Sequence, residues 1–250
     1  MSSTKVYSKP PIAEAVIQFR LAATVLGCDL EERLTSVLGM TYSGEKQQQN
    51  LFQMVAAAIG DSVSTSARTS PHIVLLRSQD GLRLLGCGNS VLSVHVLCPY
   101  PGWSNFLAQA VEAIGALRED WKGQGLKALS IRYIDRIALP AVKGIRLSDY
   151  LKVGPPKLDS MPQQVAGFHI MSQMHDPTEG IMALLTVSSA PQDQSGSPVV
   201  LYDLSMHKTV DHDWSLCEGA WIPALEEMHQ RQKDIFEESI TDTARELFND

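Results

Sequence analysis

Three apolar runs, HIVLLRS (72–78), LRLLGCG (82–88) and SVLSVHVL (90–97), are separated only by Gln79-Asp80-Gly81 and by Asn89. This spacing constrains the fold more than any other feature of the chain. Parallel strands need a crossover of a dozen or more residues, whereas antiparallel neighbours can be joined by a tight turn. Asp80-Gly81 supplies that turn, because glycine accepts the positive φ of a short hairpin. Asn89, between Gly88 and Ser90, marks the next reversal. The three runs therefore predict an antiparallel meander.

The same signature recurs elsewhere. In AEAVIQFRL (13–21), Val16 or Ile17, Phe19 and Leu21 follow a strand-like alternation. In LKALSIRYIDRIALP (126–140), Ile131, Tyr133 and Asp135 fall on one face and Arg132, Ile134 and Arg136 on the other. Pro140 stops that strand. LFQMVAAAI (51–59) is a further apolar run. Beyond residue 162, VAGFHIMSQM, GIMALLTVSS and PVVLYDLSM read as three antiparallel strands parted by HDPTEG and SAPQDQSGSP, with HKTVDHDWSLCEG as a loop.

Helical periodicity appears at Asp29–Leu38, from about Ser104 to Trp121, and from about Trp221 to the C-terminus. In the last of these, Leu225, Met228, Gln232, Ile235 or Phe236, Ser239 or Ile240, Ala244 and Leu247 or Phe248 keep to steps of three or four. Ser239-x-x-Asp242 and Thr243-x-x-Glu246 each match a capping box, but no shift of the apolar face accompanies them. One helix of nearly 30 residues, roughly 40 Å long, is expected. Strands, a tryptophan-bearing loop and a long helix thus occur twice. The expected fold is α+β: a mostly antiparallel sheet of eight or nine strands, in two similar halves, each with a long helix packed across it. The halves are placed at 1–140 and 163–250, with 141–162 as a linker, or the two merge into one continuous domain.

Two further stretches and the C-terminal helix carry a resemblance. PPIAEAVIQFRL at the start, LSIRYIDRIALP in the middle and HQRQKDIFEESITDTARELF at the end, with His229, Phe236, Glu237, Ser239, Ile240 and Thr241, resemble a sporadically distributed, uncharacterised bacterial protein family of about 250 residues. The resemblance implies an α+β fold and a bacterial source, and brings no activity with it. The family's patchy distribution suggests horizontal transfer, and with it a phage-defence or mobile-element role.

A net charge of −7 argues against a general nucleic-acid binder. The charge is uneven, however: residues 118–157 hold nine bases against four acids, and residues 226–250 hold eight acids against three bases. These segments are either solvated faces or mutually attractive surfaces. Cys28, Cys87, Cys98 and Cys217 lie far apart without a CxxC pair, as expected of buried thiols in a reducing compartment. The N-terminal residues lack the continuous apolar core of a signal peptide, and no long apolar run suggests a membrane span. A cytoplasmic location is expected.

Few residues suggest chemistry. His207, Asp211 and His212, with Asp213, are the nearest approach to a metal site, though their spacing matches no closed zinc pattern. His169 and His175 are expected to pack or to face solvent. Arg132 and Arg136 share a strand face that is solvated, forms an interface or binds a small anion. Trp103, Trp121, Trp214 and Trp221 sit at helix ends, where they seal the helix against the sheet or anchor a partner. GCGNS lacks the lysine of a phosphate loop, and no GxSxG elbow is present. The adjacent pairs Glu226-Glu227 and Glu237-Glu238 diverge around their helix, as a solvated acidic face does. No catalytic residue and no cofactor is expected.

The leading expectation is a non-catalytic interaction subunit whose partner is another protein, in a hetero- or homo-oligomer, with neither nucleic acid nor membrane as its target. The alternatives are a small-molecule sensor or hydrolase with a pocket between long helix and sheet, and nucleic-acid contact through residues 118–157.

Overall fold

The computed structural model describes residues 7–22, 24–49, 52–59, 62–69, 73–117, 125–142, 145–156, 160, 167–215 and 219–249; residues 49, 52–59, 62–69 and 211–215 are described by backbone alone. Eleven strands and four helices occur among them. In chain order they are β1 (Ile12–Leu21), α1 (Gly27–Leu38), β2 (Gln47–Gln49), β3 (Phe52–Ile59), β4 (Ser62–Thr69), β5 (Ile73–Arg77), β6 (Arg83–Gly88), β7 (Val91–Leu97), α2 (Trp103–Leu117), β8 (Gly125–Ala138), β9 (His169–Asp176), β10 (Ile181–Ala190), β11 (Val199–Ser215), α3 (Trp221–Ser239) and α4 (Asp242–Glu246). Nine strands form one antiparallel sheet in the order β2-β5-β6-β7-β1-β8-β11-β10-β9, while β3 and β4, among the described residues, pair only with each other.

The predicted meander is β5-β6-β7. Gly81 takes φ 74° in its first turn, and Ser90 takes φ 56° in the second. Asn89 turns its side chain outward to accept from the Gly27 N–H at the start of α1, 2.9 Å away. The first strand is central: β1 pairs β7 on one side and β8 on the other. One sheet therefore spans both proposed halves. Within segment 141–162, Tyr150 and Leu151 are buried in one cluster with Ile137, Tyr202 and Ile240.

The four helices lie on one face. On β1 that face carries Ala15, Ile17, Phe19 and Leu21, all at most 2% exposed, together with Leu30 and Leu34 of α1, Phe106 and Ala110 of α2, and Leu225 and Met228 of α3. A second cluster joins β8, β10 and β11 to Ile240, Ala244 and Phe248.

The single C-terminal helix expected from the periodicity is broken. α3 ends at Ser239, Ile240 is extended and fully buried, and it bridges Leu151. The cap of α4 is Thr241, at neither of the two boxes: its hydroxyl accepts from Ala244 N–H at 3.3 Å and donates to the Asp149 carbonyl at 2.6 Å. Ser239 instead closes α3, bonding back to the Ile235 carbonyl and across to Tyr202. Apolar periodicity survives the break because both helices bury the same side. The register argument therefore cannot detect it.

Segment 207–215, expected as a loop, continues β11, with a register irregularity between Thr209 and Trp214. Of the four cysteines expected to be buried, Cys87 is; burial pushes its thiol up to about 12. Cys28 and Cys98 are exposed, and Cys217 lies outside the described residues.

Candidate interaction face

Strand alternation leaves the opposite face of the sheet with a different composition. Because opposed residues of neighbouring strands point the same way, the registers define rows across this face. One row runs Gly86, Ser93, Gln18, Ser130, His207, Met182. The next runs Leu84, His95, Val16, Arg132, Ser205, Leu184. No described helix covers these rows; Leu84, Gly86 and Ser93 are buried, Met182 is exposed, and the remaining residues are half-buried.

Three hydrogen-bonded groups occupy the centre. Glu14 Oε1 lies 2.7 Å from His95 Nδ1, and His95 Nε2 lies 2.8 Å from Ser93 Oγ. Arg132 donates to both oxygens of Asp203, at 2.8 and 2.5 Å. Ser130 Oγ lies 2.9 Å from His207 Nδ1. The hydrogen bond from His95, more than any other influence, holds the Glu14 carboxyl below its ordinary range. An ionised Glu14 only accepts, so Nδ1 carries the proton; in the neutral ring Nε2 then accepts from the Ser93 hydroxyl. Burial, seconded by the charge of Arg20, lowers the His207 pKa.

Glu14, His95 and Ser93 have the connectivity of a hydrolase triad, but their setting is wrong for acyl transfer. Ser93 is 2% exposed and lies mid-strand between β6 and β1, where backbone N–H groups are committed to the ladders. No oxyanion hole can form from such a backbone. A Cβ placed on Gly86 would lie 2.2 Å from Ser93 Oγ, so glycine at 86 makes room for the hydroxyl. The trio is an ordered polar network.

Of the sequence candidates, Arg132, Arg136 and His207 share this face. Arg132 spends its guanidinium on Asp203, whereas Arg136 is exposed at the end of β8 near Asp193. The side chains of Asp211 and His212 lie outside the described residues, and no group of three metal-ligating side chains occurs among the described ones. Of the basic segment, Arg118, Lys122, Lys143 and Lys157 lie outside the described residues. Among the described residues no ion pair joins it to the acidic tail, whose Arg231 bonds Asp176 and Glu179 and whose Arg245 bonds Glu237 and Asp242. Trp221 is no surface anchor: it is 1% exposed and packs edge-on against Phe19. The side chain of Trp214 and all of Trp121 lie outside the described residues.

Trp103 belongs to a polar seam beneath α3. Its ring stacks on His229 at 4.0 Å; His229 Nδ1 lies 3.0 Å from the Tyr133 hydroxyl, which lies 3.0 Å from that of Tyr100. Burial pushes His229 down to about 4. Gln232 donates to the carbonyls of Ile131 and Leu204 and leaves its own Oε1 buried without a partner among the described residues. Asp135 is 5% exposed, and no described residue hydrogen-bonds its carboxyl; burial, then the charge of Asp203, pushes it up to about 8.

Glu14, Ser93, His95, Ser130 and Asp203 were not singled out from the sequence. Ser93 and His95, two apart in an alternating run, had to share a face, and that signal was legible. Their pairing with Glu14 needed the β1–β7 neighbourhood, which local pattern does not encode.

No family model, curated protein or solved structure matches this chain. Among the described residues, no helix is long and apolar enough to cross a membrane.

Proposed function

We propose that this chain is a non-catalytic interaction protein that docks a partner protein on the helix-free face of its sheet. The observation that carries this reading is the mutual hydrogen bonding of Glu14, His95 and Ser93, of Arg132 and Asp203, and of Ser130 and His207, all half-buried except the buried Ser93, on a face that no described helix covers. Side chains already held in place lose little entropy on binding, so such a surface is preorganised for recognition. In the same reading the sheet is two fused halves, β1–β8 with α2 and β9–β11 with α3. Both helices begin at a tryptophan and cover one face, freeing the other for the partner. The resemblance to the sporadic bacterial family favours a phage-defence or mobile-element setting in the cytoplasm.

Co-purification from the native host followed by mass spectrometry tests the reading, with Ser205→Lys as the face variant. A stoichiometric protein companion held by the natural chain and lost from the variant supports it. A companion indifferent to the substitution, or none, counts against it. Binding to nucleic acid that weakens steeply with salt would point instead to residues 118–157.

One observation favours small-molecule binding as a second reading. A cleft of about 590 Å³ opens between α2 and the sheet, lined by Arg83, Leu97, Asn105, Gln109 and Glu112 among others. Gln109 Oε1 is buried there without a donor among the described residues. A retained metabolite displaced by Gln109→Leu would support this reading.

A further inference from the structure

The sheet ends in two unlike edges. At one, β2 is three residues long. At the other, β9 is eight residues, HIMSQMHD, paired without irregularity to β10 and, among the described residues, to no other strand. A long regular edge presents a row of unpaired N–H and C=O groups, and proteins that keep such an edge free protect it with lysine, proline or a bulge. β9 has none of these. It is polar but nearly uncharged, and it exposes Met171 and Met174 at 39% and 46%. Asp176, its one acid, is already held by Arg231 of α3 at 2.9 Å. That ion pair fastens the β9–β10 turn to the helix layer and keeps the edge extended.

We propose that β9 is the seam of a homodimer: two copies pair their β9 strands antiparallel about Ser172, joining two sheets into one layer with all helices on the same side. The backbone edge calls for a strand as its occupant, and the order of residues identifies a second copy of this chain. A two-fold axis perpendicular to the sheet keeps faces matched, so only residues of like parity oppose each other. Centred on Ser172, the pairing sets Ile170 against Met174 on the helix side, and Met171 against Gln173 and His169 against His175 on the other. The same register sets Asp176 against Phe168, just before the strand, whereas centring on Gln173 sets Asp176 against Ile170 and Ser172 against Met174; the apolar pair Ile170–Met174 is what singles out the register about Ser172.

This seam is distinct from the helix-free face, so its failure would leave the docking reading standing. Sedimentation of the purified full chain over a wide concentration range is the test. The natural chain is expected to run as a dimer, and Met174→Lys, at an exposed position that leaves the fold intact, as a monomer. Ser172→Cys is expected to cross-link across the two-fold axis under mild oxidation, which Gln173→Cys and the natural cysteines do not reproduce. A natural chain that stays monomeric, a dimer indifferent to Met174→Lys, or cross-linking at 173 instead of 172 overturns the pairing.

Discussion

The two faces of the sheet are made from the same strands by opposite rules, and β1 shows both within ten residues. Its inward positions Ala15, Ile17, Phe19 and Leu21 are closed over by three helices, while Glu14, Val16, Gln18 and Arg20 alternate with them on a face that no described helix covers. The difference teaches that stability and recognition are separable here at single-residue resolution. The largest expected effect tests that separation. Phe19→Ala should cost about 3–5 kcal/mol in denaturant unfolding, by lost burial plus a cavity beside Trp221. Val16→Ala, three positions away on the half-exposed face, should cost about 1 kcal/mol. Equal costs would mean that the second face is buried too.

The covered face contains one violation of its own rule. Asp135 is a carboxyl without a hydrogen-bond partner among the described residues, lying between Tyr133 in one cluster and Ile137 in the other. Its folded pKa of about 8 lies well above the unfolded value near 3.9. Between these values the native state keeps a proton that the unfolded chain releases. Stability should therefore be full below the lower value and fall, at up to about 1.4 kcal/mol per pH unit, until the upper one is passed. Asp135→Asn should flatten this loss between pH ~5 and ~8, measured by urea unfolding at each pH. A natural chain with no such decline would show that the carboxyl finds a partner.

How much of this contrast the sequence carried depends on the distance over which each part is encoded. The meander is local, since alternation and the Asp80-Gly81 turn specify β5-β6-β7 without any knowledge of the rest. The opposed parity of Tyr133 and Asp135 against Arg132 and Arg136 is local too, and the structure keeps it. Strand order is not local. That the first strand enters between β7 and β8 is decided by packing among segments far apart in the chain: Glu14 and His95 are 81 residues apart and Arg132 and Asp203 are 71, so these pairs had no linear signature. The break at Ile240 was hidden for another reason. A buried strand-like bridge to Leu151 replaces one turn of helix without moving the apolar stripe, and Thr241 as a cap resembles many threonines that cap nothing.

On the helix-free face a smaller effect measures the worth of a pair. The Arg132 side chain remains 41% exposed, which places its bidentate bond to Asp203 near the value of a surface ion pair. A double-mutant cycle with Arg132→Ala and Asp203→Ala should give a coupling of about 1 kcal/mol that shrinks in high salt. A much larger coupling would mean that the face is covered in solution.

Glu14 supplies the smallest expected effect and the opposite pH sign. Its carboxyl is depressed by the His95 hydrogen bond, so the stabilisation it brings is present above the unfolded value near 4.3 and lost as pH falls through the lower folded value. Glu14→Gln should remove that acid-side loss while leaving the decline toward pH ~8, which belongs to Asp135, unchanged. Each face is then read by its own end of the pH range: the covered one weakens as its buried acid ionises, the helix-free one as its partnered acid is neutralised. If Glu14→Gln altered the alkaline limb, the two carboxyls would be coupled through the sheet, and the faces would not be independent.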